Sequence, residues 1–264
     1  MYMFYQVYII RGMSAWSRRR YTIYFITAIT IIALALFAIY TFFIFESATC
    51  FDGEQNGSEQ AVDCGGSCER ICPFQAVDPQ IVWARAFEIS DGVYNLGAIV
   101  RNPNFSARLE GQYKFEAFNN ENLKIYEVFG DLELEPSQEK PIFEPTVLTG
   151  EQRIERVFLT IVEGFMWERA EPPVKDIVIT SRTLSDAESV PKLRVSLNNT
   201  SLAPIRDIAV FAALYNADGN VVQSSRTFVE MIERDGEAEA FFTWPEAFKD
   251  EVTKIDVFTE RIAL

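Results

Sequence analysis

The sequence predicts a mainly β protein in which an N-terminal transmembrane helix precedes two tandem immunoglobulin-like β-sandwich domains. Three observations predict it: a 25-residue uncharged run at 21–45, a likeness between two halves of the remainder at a spacing of 96 residues, and short β-rich runs separated by turn signals within both halves. A length of 264 residues leaves room for about two domains and an anchor.

The run YTIYFITAITIIALALFAIYTFFIF exceeds the roughly 20 helical residues needed to cross a hydrocarbon layer of about 30 Å. It is apolar on every face, unlike the helix of a soluble core. It is also longer than the roughly 7–15 apolar residues of a cleaved signal peptide. Ser47-Ala48-Thr49-Cys50 matches a lipoprotein cleavage site only loosely, because Glu46 and Thr49 replace the residues such a site requires. Arg18, Arg19 and Arg20 abut one end of the run, while Glu46, Asp52, Glu54 and Glu59 follow the other. The positive-inside rule then predicts a single pass through the cell membrane, with a cytoplasmic N-terminus and extracytoplasmic C-terminal domains. The lipid bilayer is the first expected partner, through residues 21–45. Tyr21, Tyr24, Tyr40 and Phe45 sit where an interfacial aromatic belt belongs. Residues 1–20 form the leader, in which Met13 offers a second start ahead of SAWSRRR.

Charge divides the chain in the same place. The net charge is −14, and four leader arginines without an acid leave −18 on the rest. An acidic body repels phosphate, so no nucleic acid partner is expected. The absence of histidine removes Ser–His–Asp and Cys–His catalysis from this chain.

All four cysteines, Cys50, Cys64, Cys68 and Cys72, fall in a collar at 46–76, where an oxidising exterior would pair them. Three pairings are open, and Gly65-Gly66 supplies a tight turn. The spacing C-x13-C-x3-C-x3-C lacks the paired C-x2-C of zinc ribbons. Asp52, Asn56, Glu59 and Asp63 are the hard oxygen ligands that calcium takes, though not at EF-hand spacing; a solvated acidic loop is the competing reading. No other cofactor is expected. The pattern from Cys50 to Cys68, with Asp52-Gly53, Asn56-Gly57, Glu59 and Val62-Asp63-Cys64-Gly65-Gly66, resembles a cysteine-rich element of prokaryotic surface proteins. The resemblance implies an extracytoplasmic, cross-linked knot rather than an activity.

Beyond the collar, Ile81-Val82-Trp83 aligns with Ile177-Val178-Ile179, Asn102 with Asn198, and Phe115-Glu116-Ala117-Phe118 with Phe211-Ala212-Ala213-Leu214, each at 96 residues. Sandwiches are therefore expected at 77–171 and 172–264, each near the roughly 100 residues of an immunoglobulin-like domain. The runs at 207–215 and 221–229 flank Asn216-Ala217-Asp218-Gly219-Asn220, which reads as a hairpin. Both faces of 207–215 are apolar, so one is expected in the core and the other against a neighbouring sheet edge or domain. Glu171-Pro172-Pro173 marks a stiff junction and implies a semi-rigid rod, and 73–79 is expected to play the same part below the first sandwich.

The segment from Asn198 to Trp244, with Phe211, Leu214, Tyr215 and Asn216, resembles the FxLYD family of bacterial extracytoplasmic domains. Asn216 stands where that family prefers Asp, and the first half, with Phe115, Phe118 and Asn119, departs further. The resemblance implies a β-sandwich without known catalysis.

Chemistry is otherwise sparse. Asp131/Glu133/Glu135 and Glu237/Glu239 alternate as solvated strand faces do, whereas glycosidase carboxylates converge across a cleft. Phosphate-cradling glycine motifs are absent. Trp83, Trp167 and Trp244 read as core or interdomain packing. The expected function is a non-enzymatic, membrane-anchored binding or structural protein that presents two sandwiches to an unidentified protein or envelope partner. The alternative is a noncatalytic subunit or sensor of a membrane complex, recognised through its transmembrane helix.

Overall fold

The computed structural model describes residues 15–41 and 49–262. The first fourteen residues, the end of the expected span at 42–45, and Glu46 lie outside the described residues. The chain divides into two units, Met1–Asp52 and Gly53–Leu264.

In the first unit α1 (Ala15–Ile39) carries one stretch, Arg18–Ile39, long and apolar enough to cross a membrane, with a mean hydropathy of 2.4 and no buried residue in its most apolar window. Three threonines interrupt the hydrocarbon. Thr22, Thr27 and Thr30 each donate the hydroxyl to the carbonyl one turn back (2.9, 2.7 and 2.9 Å), which satisfies polar groups that lipid could not.

Among the described residues of the second unit, the regular elements are strands apart from one 3₁₀ turn at Pro73–Gln75. Its first sandwich has one sheet in the order β2–β3–β6, formed by Gln80–Ser90, Val93–Arg101 and Glu139–Leu148. The facing sheet runs β1–β8–β4–β5, formed by Arg70–Ile71, Met166–Arg169, Ala107–Phe118 and Lys124–Leu134; β7 (Arg156–Ile161) also pairs with β4. Between them lies a core that includes Leu96, Leu109, Phe115, Leu134 and Trp167, all essentially excluded from solvent.

The second sandwich repeats this scheme. One sheet runs β9–β10–β13 (Ile177–Ser185, Lys192–Asn199, Glu237–Thr243), and the other β12–β11–β14 (Val221–Ile232, Ile205–Tyr215, Lys254–Arg261). Strand β14 holds one continuous register along β11, where β4 instead meets two short strands, β7 and β8, separated by a turn at Gly164. Leu193, Leu197, Ile208, Leu214 and Trp244 fill this core.

The two halves align one residue away from the spacing read in the sequence. Asn102 and Asn199 hold the same structural position, as do Asn119 and Asn216, so the offset at these strand ends is 97. Aligning Phe115 with Phe211 is therefore a one-residue slip. Alternate residues of a strand point to opposite faces, so the slip equates an inward side chain with an outward one. Phe115 lies in the first core, whereas Phe211 turns away from the second.

That outward face decides how the sandwiches meet. Phe211, Ala213 and Tyr215 of β11 form a third apolar cluster with Ile99, Trp83 and Phe143 of the β2–β3–β6 sheet. Phe211 meets Phe143 on β6, with ring centroids 5.8 Å apart, while Tyr215 reaches Trp83 on β2. Strand β11 thus runs across its neighbour sheet rather than along it, as in orthogonal sheet packing. The expected rod is corrected here: two prolines stiffen seven residues of linker, but an apolar sheet face gains more by covering another such face than by facing water. The collar itself contributes β1 to the first sandwich as an edge strand, and residues 73–79, expected as a stiff connection, lead from it to β2.

Candidate functional site

The collar is held from both sides of β1. Arg70 pairs with Glu168 and Ile71 with Trp167 along β8. The Arg169 amide donates to the Glu69 carbonyl (2.7 Å), and the Gly65 amide to the Arg70 carbonyl (2.9 Å). The Cys64–Cys72 disulfide closes this turn beneath fully buried Cys72, with Cα atoms 5.1 Å apart. Cys50 and Cys68 are also disulfide-bonded, so no free thiol exists among the described cysteines and no thiolate is left for zinc. Gly66 has a positive φ, and a Cβ there would fall 1.9 Å from the Ser58 carbonyl oxygen; no other residue fits this turn.

The acidic residues expected to suit calcium serve the loop's own backbone. Asp52 accepts from the Thr49 amide at 3.1 Å, both Asp63 oxygens accept from the Gly53 amide at 3.1 Å, and Glu59 accepts from the Asn56 amide at 3.1 Å. Such bonds give each carboxylate a structural role that requires no cation. The expected topology residues Arg18, Arg19 and Arg20 are exposed at the N-terminal end of α1, where Arg20 stacks on Trp16 with its guanidinium carbon 4.0 Å from the ring centroid.

Two asparagines that sequence reading did not single out as structural keys close one end of each sandwich, in the first sandwich the end that meets the collar. The fully buried Asn102 amide donates to the carbonyls of Ala107, Leu134 and Glu135 (2.7, 3.1 and 3.0 Å), and its oxygen accepts from the Asn104 amide. Asn199 does the same with Ala203, Ile232 and Glu233 (2.8, 3.2 and 3.0 Å) and with Ser201. Its neighbour Asn198, the residue matched to Asn102 by sequence, is an ordinary member of β10. At the opposite end, Asn119 and Asn216 cap their hairpins by accepting two loop amides each. An Asp could accept both bonds, which explains why either residue suits this turn.

On the first sandwich four carboxylates gather around one arginine. Arg108 lies 2.8 Å from Glu110, 3.1 Å from Glu133 and 2.8 Å from Glu168, with Glu135 at 4.0 Å. Partial burial pushes Glu135 above the usual carboxylate range, and Arg108 opposes the shift. Glu144, beside the seam, is also pushed up by burial, with the Arg226 guanidinium opposing it. One open groove of about 270 Å³, lined by Pro79, Ile81, Leu159 and Phe165, holds a single carboxyl, that of Asp78. Nothing in this groove pairs a base with a nucleophile.

No protein-family model matches the chain, and no curated protein is similar to it. Among solved structures, red sea bream transglutaminase is similar over 72% of this chain and 32% of its own, at 9% identity and a TM-score of 0.24. A β-glucuronidase of glycoside hydrolase family 2 is similar over 83% and 29%, at 11% identity and 0.23. The chain spans about a third of the length of these proteins, and likenesses at these TM-scores carry no argument about activity.

Proposed function

We propose that this chain is a single-pass, membrane-anchored binding or structural protein, with its C-terminal β unit outside the cytoplasm and no catalysis of its own. The observation that carries the reading is the order of features along the chain: a helix apolar on every exposed face, then a segment whose cysteines are all oxidised, then β-sandwiches. Disulfides persist in oxidising compartments, which supports an extracytoplasmic collar, and Arg18–Arg20 support a cytoplasmic leader.

The two halves read best as one module used twice, since strand order and both asparagine positions recur. The FxLYD resemblance of 198–244 agrees with this reading. Partner binding would use loops or the unpaired edges of β5 and β9 rather than a pocket.

The test is protease added to intact cells expressing the chain with a C-terminal tag, followed by crosslinking of the surviving surface proteins. Loss of the tag, together with a crosslinked partner that disappears when residues 77–264 are replaced, supports the reading. A protected tag, or a partner retained on the helix alone, overturns it.

A further inference from the structure

The asparagine-closed ends of the two sandwiches each carry a loop with an apolar tip turned to solvent. Phe105 is 81% exposed and Leu202 is 79% exposed, and the two are 97 residues apart, as are the asparagines that fix their loops. Buried asparagine amides anchor these loops at their bases, while each tip stays largely exposed. Large apolar side chains held out in water by a built loop imply a surface that takes them.

Chain connectivity gathers more of them in the same region. The Asn104 side chain exchanges two 2.8 Å hydrogen bonds with the backbone of Val77, which places exposed Val77 beside the Phe105 loop, with exposed Phe74 three residues upstream. The Ala170 amide donates to the Ser106 carbonyl, and the Thr200 amide to that of Asp176. Five residues, 171–175, therefore join the two loops, a reach of at most about 20 Å over six Cα steps. Val174, 86% exposed, lies on that linker.

This is also the end at which the collar enters the first sandwich, through β1 and Val77. Only seven residues, 42–48, separate the described end of the helical segment from Thr49. Even fully extended they reach about 25 Å, so a collar following an inserted span stays close to the headgroups.

Resting on the anchored reading above, we propose that the Phe105 and Leu202 loops, with Phe74, Val77 and Val174, dip into the interfacial layer of the same bilayer and seat the β unit on it. Insertion of a tethered domain pays little translational entropy, so a few apolar tips suffice. The collar's acids favour a zwitterionic lipid surface over an anionic one.

The test uses the full chain in phosphatidylcholine vesicles, with NBD on Phe105→Cys, on Leu202→Cys or, as a control, on Leu148→Cys, which is exposed at the opposite end of β3. Nitroxide-bearing acyl chains are expected to quench the first two probes about twofold or more and to leave the third unchanged. Equal quenching at all three sites overturns the proposal. So does shielding from aqueous quencher without nitroxide quenching, which would mean that a protein, including a second copy, covers the tips. Protein that fails to float with the vesicles refutes the anchor, and this proposal with it. Protein that floats unquenched refutes the seating alone.

Discussion

The Trp83 indole N–H donates to the Tyr215 phenolic oxygen across 3.0 Å, although the two residues lie 132 positions apart and belong to different sandwiches. Around this bond the apolar faces of β3 and β11 exclude water, and Lys140 reaches Glu260 from one sandwich to the other at 2.6 Å. The seam is a packed interface with a polar key rather than a flexible joint.

Burial pushes the Tyr215 hydroxyl above its ordinary pKa, while the Trp83 hydrogen bond pulls the other way. A group whose folded pKa lies above its unfolded value contributes stability below the unfolded pKa and loses it as pH rises through the folded one. Urea melts are expected to show stability falling between about pH 10 and higher pH, with a smaller fall in Tyr215→Phe. An identical alkaline loss in both proteins would show that the seam phenol does not contribute.

Phe115 and Phe211 occupy different environments, so their truncations should differ in kind. Phe115→Ala empties the first core and is expected to cost about 3–5 kcal/mol. Phe211→Ala should instead loosen the seam, separating one calorimetric transition into two while each core persists. Equal and purely global destabilisation by both would contradict the assignment.

Asn102→Ala and Asn199→Ala each remove a buried side-chain amide that three carbonyls now share. A loss of about 2–3 kcal/mol is expected for either in chemical denaturation, and Asn198→Ala should change stability far less. Asparagine-to-aspartate at 102 or 199 should be at least as damaging, because it brings a carboxylate against carbonyl oxygens.

Replacing Cys64 and Cys72 with serine opens a short loop, worth about 2–3 kcal/mol in the chain-entropy account. The effect should be local. Hydrogen exchange is expected to accelerate at Gly65 and Arg169, whose amides bond across β1, and to remain slow in β10 and β11. Uniform acceleration would mean that the collar supports the whole unit.

The α1 segment, the oxidised cysteines, the β-rich halves and the Asn216 hairpin were legible in the chain itself, because each rests on local chemistry: hydropathy over a span, cysteine spacing, alternation and turn residues. The doubly apolar run at 207–215 even announced a second neighbour for its strand. What the residues could not supply was which neighbour. Phe211 and Phe115 look alike in a list, and only strand pairing revealed that one faces a core and the other a seam, since a single-residue offset inverts every side chain. The same holds for Asn199 beside Asn198, and for Arg108 among acids drawn from three strands and the turn after β5. Local sequence determined the elements of this protein; the pairing of distant strands decided which faces they bury, because burial depends on what folds opposite a residue and not on the residue alone.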